Sequence, residues 1–125
     1  MYKYKDIKKV HLELTAKCNA ACPICDRNWF GGPENRNLPK GELKLDDIKE
    51  IFPPSFIKQL DHLFVCGNHG DPLMAKNTIE ILQYLRSTNN NMSLAIHTNG
   101  SGRPASWWAR LGKVLNREND YCCFS

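Results

Sequence analysis

Three cysteines, Cys18, Cys22 and Cys25, stand in the stretch HLELTAKCNAACPICDRN, residues 11 to 28. The spacing C-x-x-x-C-x-x-C keeps three soft thiols on one short loop, where all can reach a single iron–sulfur or zinc centre. A closed structural zinc site takes four protein ligands, usually as two paired ligand loops. No second well-spaced pair accompanies this set. In an iron–sulfur cube, three cysteines secure three irons and leave the fourth open to a cofactor or substrate. The alternative is a non-enzymatic iron–sulfur or zinc module, closed by a distant histidine or by Cys66.

The remaining cysteines, Cys66, Cys122 and Cys123, lie in apolar runs, the setting in which free cysteine serves as a small buried hydrophobe. They are not expected to be ligands. Six cysteines behind no secretory leader pattern point to metal chemistry rather than to a disulfide scaffold, and the expected location is cytoplasmic. No apolar run is long enough to span a bilayer. The 17 basic and 13 acidic residues are interspersed, as in KGELKLDDIKE, so the net charge of +4 forms no clear nucleic-acid patch. Hydrophobic residues at 42% and charged residues at 24% are ordinary for one folded domain of 125 residues.

The elements that must position the thiols follow from periodicity. VHLELT, residues 10 to 15, alternates apolar and polar residues as a strand does, and the cysteine loop follows it directly. WFGGPENRNLPKGE crowds glycine and proline into an irregular segment. LDDIKEIF, residues 45 to 52, has helical spacing and is stopped by Pro53 and Pro54. HLFVCG is a buried strand running into the turn GNHGDP; NTIEILQYLRST is a helix; MSLAIHTNG is a strand ending in a turn. PASWWARLGKVL is an amphipathic helix with Trp107 or Trp108 in the core, and YCCFS opens a fourth strand. Such alternation predicts parallel strands joined by crossovers, with the chemistry at the strands' carboxyl ends. The cysteines, GNHGDP and HTNG all fall there. His69 and His97 precede turns at those ends and are candidates for a pocket, and Trp29 and Phe30 are placed to cover the cysteine loop.

The cysteine spacing after LELTAKCN resembles the cluster motif of the radical S-adenosylmethionine (radical SAM) enzymes. HGDPL, residues 69 to 73, resembles that family's second-strand Gly-Gly-Glu-Pro turn, with Gly70 and Pro72 matching, Asp71 as a shorter acid and His69 in place of the first glycine. HTNG is similar to the segment after the third strand, and Ser125 to a serine of the fourth. Ile24 stands before the third cysteine, where the family commonly has an aromatic residue.

The resemblance implies an α/β fold, an incomplete TIM-like partial barrel of about the first three to four βα units, with residues 1 to 125 as the N-terminal portion of the core. It implies a [4Fe-4S] cluster on Cys18, Cys22 and Cys25. S-adenosylmethionine would be bound by Gly70 and Asp71, with Thr98, Asn99 and Ser125 as further contacts. An electron donor would drive reductive cleavage to a 5′-deoxyadenosyl radical that takes hydrogen from an unidentified substrate. A full barrel needs about 250 residues, so the chain is expected to be a truncated enzyme, inactive alone.

Overall fold

Four short strands pair in chain order into one parallel sheet: β1 (Lys9–Leu12), β2 (His62–Val65), β3 (Ser93–Thr98) and β4 (Tyr121–Phe124). The computed structural model describes residues 1–125. Parallel neighbours cannot be joined by a hairpin, so each connection runs back past one face of the sheet. Helices α1 (Leu45–Ile51) and α2 (Pro54–Gln59) lie between β1 and β2, α3 (Thr78–Thr88) between β2 and β3, and α4 (Ala105–Val114) between β3 and β4. The sheet is open, with β1 and β4 at its edges.

Local chemistry explains where the helices start. At α1 the Asp47 carboxylate accepts from the Lys44 N–H at 2.7 Å, satisfying a donor that the first turn leaves free. Pro53 and Pro54 do end α1, but Pro54 then occupies the first position of α2, where its fixed φ and missing N–H are harmless. Sequence reasoning treated that proline pair as a stop and missed the helix beyond it.

One side of each strand feeds the core. Leu12, Leu63, Val65, Leu94 and Ile96 are buried with Ile48 of α1, Ile57 of α2, Ile79, Leu82 and Leu85 of α3, and Leu111 of α4. Trp107 and Trp108 both reach this cluster as partly buried rings. The opposite side of the sheet carries a band of rings: His11 stacks on Phe64 at 4.6 Å, and His97 contacts both Phe64 and Tyr121. Register separates the cysteines expected in the core. Cys122, beside Ile96, packs against it, whereas Cys123, beside His97, lies on the band side. None of the helices is long and apolar enough to cross a membrane.

Candidate functional site

The carboxyl ends of the four strands gather the cysteine loop after β1, the turn 67–71 after β2, Thr98 at the end of β3 with residues 99–100 after it, and Ser125 after β4. One glycine lets the first two of these touch backbone to backbone, and a second closes the turn on itself. A Cβ on Gly70 would stand 1.8 Å from the Thr15 carbonyl oxygen, and one on Gly67 would stand 2.3 Å from the Gly70 oxygen. Only glycine permits such an approach. The Asp71 N–H then donates to the Lys17 oxygen at 2.8 Å, one residue before the first cysteine. Gly70 therefore has a structural reason to be glycine: it seats the base of the cysteine loop.

Asp71 is 4% exposed, and neutral groups engage both of its oxygens. Oδ1 accepts from the Leu73 N–H at 2.9 Å and from the Thr98 hydroxyl at 2.7 Å; Oδ2 accepts from the Asn99 N–H at 2.7 Å. Buried carboxylates need such donors. Thr98 is buried as well, and its hydroxyl accepts from the Gly100 N–H. Asp71 and Thr98 thus form an internal bracket that joins the turn after β2 to the end of β3. Asn99 leaves the bracket and reaches the cysteine loop, donating from Nδ2 to Asn19 Oδ1 at 2.9 Å and to Cys18 Sγ at 3.7 Å. Ser125 is exposed and is tied to β3 through its N–H, which donates to the Thr98 oxygen at 3.0 Å.

All six cysteines are free thiols; Cys22 is exposed, and Cys18 and Cys25 are partly buried. The Cys18 sulfur also accepts from the Ala20 N–H at 3.4 Å, and the Cys25 thiol faces the Asn68 oxygen at 4.0 Å. No group of three or more histidine, cysteine, aspartate or glutamate side chains is arranged to hold a metal ion. Nothing but a shared loop draws the thiols together. As a donor set, three thiols with no carboxylate or imidazole among them suit a soft iron–sulfur centre.

The loop is clamped by a residue that sequence reasoning passed over. Arg27, two positions beyond Cys25, donates to the Ala16 oxygen, to the His69 oxygen at 3.1 Å and to Glu34 at 2.8 Å. It joins both ends of the cysteine loop to the turn after β2. Glu13 secures that turn from another side, accepting from the Asn68 N–H and side-chain amide at 3.0 and 2.6 Å. Its place at a polar position of the alternating stretch was the available signal.

His69 lines a cleft of about 700 Å³ together with Ile24, Cys25, Trp29 and Phe30, and its buried Nδ1 has no hydrogen-bond partner. Trp29 and Phe30, 60% and 91% exposed, line this cleft on the same side as Cys25. His97 projects from β3 into the ring band, where its buried Nε2 also lacks a partner. Burial pushes the Cys66 thiol above its ordinary range, with the negative charges of Glu13 and Asp71 adding to the effect.

No protein-family model matches the chain. The FeMo cofactor biosynthesis protein NifB of Methanocaldococcus infernus is 31% identical over 74% of this chain and 32% of its own length. GTP 3',8-cyclase of Staphylococcus epidermidis is 25% identical over 77% of this chain and 28% of its own length. A crystal structure of BtrN in complex with AdoMet and 2-DOIA matches 86% of this chain and 42% of that one with a TM-score of 0.68. By these likenesses the chain is similar to the radical SAM enzymes over part of their length.

Its four parallel strands match part of the radical SAM partial barrel. At 18% identity the likeness to BtrN concerns the fold alone. Radical SAM enzymes use a [4Fe-4S] cluster and S-adenosylmethionine. The chain spans about a third of the length of the curated relatives it matches.

Proposed function

We propose that this chain holds a [4Fe-4S] cluster on Cys18, Cys22 and Cys25 and binds S-adenosylmethionine beside it for radical generation. The observation that carries the proposal is the three-thiol loop, seated by Gly70 at the carboxyl ends of a radical SAM sheet. A reduced cluster bound there would supply the single electron for reductive cleavage of S-adenosylmethionine.

The chain's own part is to bind and to orient. Arg27 and Gly70 fix the cysteine loop against the turn after β2. Asp71 and Thr98 act from beneath, since their polar atoms are already bonded inside the protein. Ser125 lies at the surface and supplies a polar contact to the cofactor, whereas the Asn99 side chain is turned toward the cysteine loop and acts through it. His69 lines the cleft beside Cys25 and is a further contact. Residues 1 to 125 act as the first βα units of a larger core. An electron donor and a substrate reach that core in a reducing compartment such as the cytoplasm, and hydrogen abstraction from the substrate is the overall activity.

The test is a set of single cysteine-to-alanine variants, each reconstituted anaerobically and analysed for iron and sulfide. Loss of the cluster is expected for Cys18→Ala, Cys22→Ala and Cys25→Ala. Normal content is expected for Cys66→Ala, Cys122→Ala and Cys123→Ala. A cluster lost with Cys66 and kept without Cys22 would refute the ligand set and favour a closed module.

A further inference from the structure

The three thiols are not equally supplied with hydrogen bonds. Cys18 Sγ receives two N–H groups, from the Ala20 backbone at 3.4 Å and the Asn99 amide at 3.7 Å. Cys25 faces a carbonyl oxygen instead, at 4.0 Å. We infer that Asn99 tunes the redox potential of the cluster by donating its amide N–H to the Cys18 sulfur, held in place for that purpose by Asp71, Ser101 and Asn19.

The inference rests on the proposed function, because it presumes a cluster on Cys18. Its support is the way Asn99 is held. The orientation of a side-chain amide follows from its partners, and here the partners leave no choice. The Ser101 backbone N–H, which can only donate, lies 2.9 Å from Asn99 Oδ1, and the Ser101 hydroxyl donates to the same atom at 2.7 Å. That fixes the oxygen on the Ser101 side and turns Nδ2 toward the cysteine loop. One Nδ2 hydrogen goes to Asn19 Oδ1 at 2.9 Å, and the other remains for Cys18. The Asn99 backbone N–H is in turn fixed by buried Asp71 at 2.7 Å. Every polar hydrogen of this residue therefore has a partner, and one of those partners is a thiol.

The direction of the effect follows from charge. Reduction adds one negative charge to the cluster and its thiolates, and an N–H aimed at a ligand sulfur stabilises that more negative state. Asn99 therefore raises the potential and makes the cluster easier to reduce. It is a positioning and tuning residue, distinct from the thiols that hold the iron.

The experiment is an anaerobic redox titration of the reconstituted protein, followed by electron paramagnetic resonance, for wild type, Asn99→Leu and Asn99→Asp. Leucine removes the donor; aspartate also places a negative charge beside the sulfur. Both variants are expected to keep their iron content and to titrate at more negative midpoints, the aspartate variant further than the leucine variant. Unchanged midpoints at full iron content would overturn the inference and leave the proposed function intact. A wild-type protein that takes up no cluster would overturn both. Should neither variant fold, wild type labelled with ¹⁵N in its asparagine side chains decides the matter by pulsed resonance. A ¹⁵N coupling to the reduced cluster is expected, and its absence refutes the contact.

Discussion

The two ends of the sheet use the same device, a buried carboxylate that gathers N–H and O–H donors from neighbouring loops, and complete it differently. At the amino ends, Asp120 accepts from the Leu94 and Arg117 N–H groups and pairs with Arg86 at 2.5 Å. Arg86, 8% exposed, also donates to the Met92, Asn90 and Val114 oxygens. Asn89 completes that end by donating to the Ile57 and Leu60 oxygens. At the carboxyl ends, Asp71 meets only neutral donors. Beyond it stand free thiols with few hydrogen-bond partners. A saturated network holds the fold together, and an unsaturated one leaves groups available for ligands.

This contrast orders the expected losses. Arg86→Ala strands the Asp120 carboxylate and three carbonyls, and should cost about 3–5 kcal/mol, the range for breaking a buried pair. Urea unfolding of the apo protein measures it. Asp71→Ala leaves three donors without their acceptor but no stranded charge, so about 2–3 kcal/mol is expected. It should also lower iron uptake, which Arg86→Ala in its folded fraction should not. An equal loss of iron in both would erase the distinction between the ends. Gly70→Ala forces the turn away from Thr15 and should cost about 1–3 kcal/mol, with the cysteine loop displaced. Gly112→Ala is its control: nothing lies within 4 Å of the added carbon in α4, and about 0.5–1 kcal/mol of stabilisation is expected.

The same contrast accounts for what the sequence made legible. Three of the four helices, all four strands and their order follow from periodicity, because burial of one face imposes a pattern on the residues that supply it. The cysteine loop was visible because its ligand types and spacing are local. The brackets were not. Asp71 joins Thr98 and Asn99 across 27 and 28 positions, and Arg27 reaches His69 across 42. No spacing rule connects residues that meet only because two strands are neighbours. The turn glycines show the same limit, since Gly70 is required by the Thr15 carbonyl, a contact made by the fold.

The smallest expected effect is a pH dependence. Burial lowers the His62 pKa below the ordinary 6.5, with Lys9 and His97 acting in the same direction and Asp120 opposing. Its Nδ1 faces Ser93 Oγ, which donates to the Asn119 oxygen, so the imidazole nitrogen is the donor to that hydroxyl. The folded state keeps His62 neutral while the unfolded chain takes up a proton. Stability is therefore full above about 6.5 and is lost as pH falls toward the folded value. The urea midpoint should fall across that window in wild type and fall less in His62→Gln.

The central claim is that the unsaturated end carries a cluster with one iron left open. It is tested most directly by adding S-adenosylmethionine to the reconstituted, reduced wild-type chain and recording its electron paramagnetic resonance spectrum. The expected result is a change in the spectrum on addition of the cofactor, which only an iron without a fourth protein ligand can give. A cluster whose spectrum is indifferent to S-adenosylmethionine would contradict the claim.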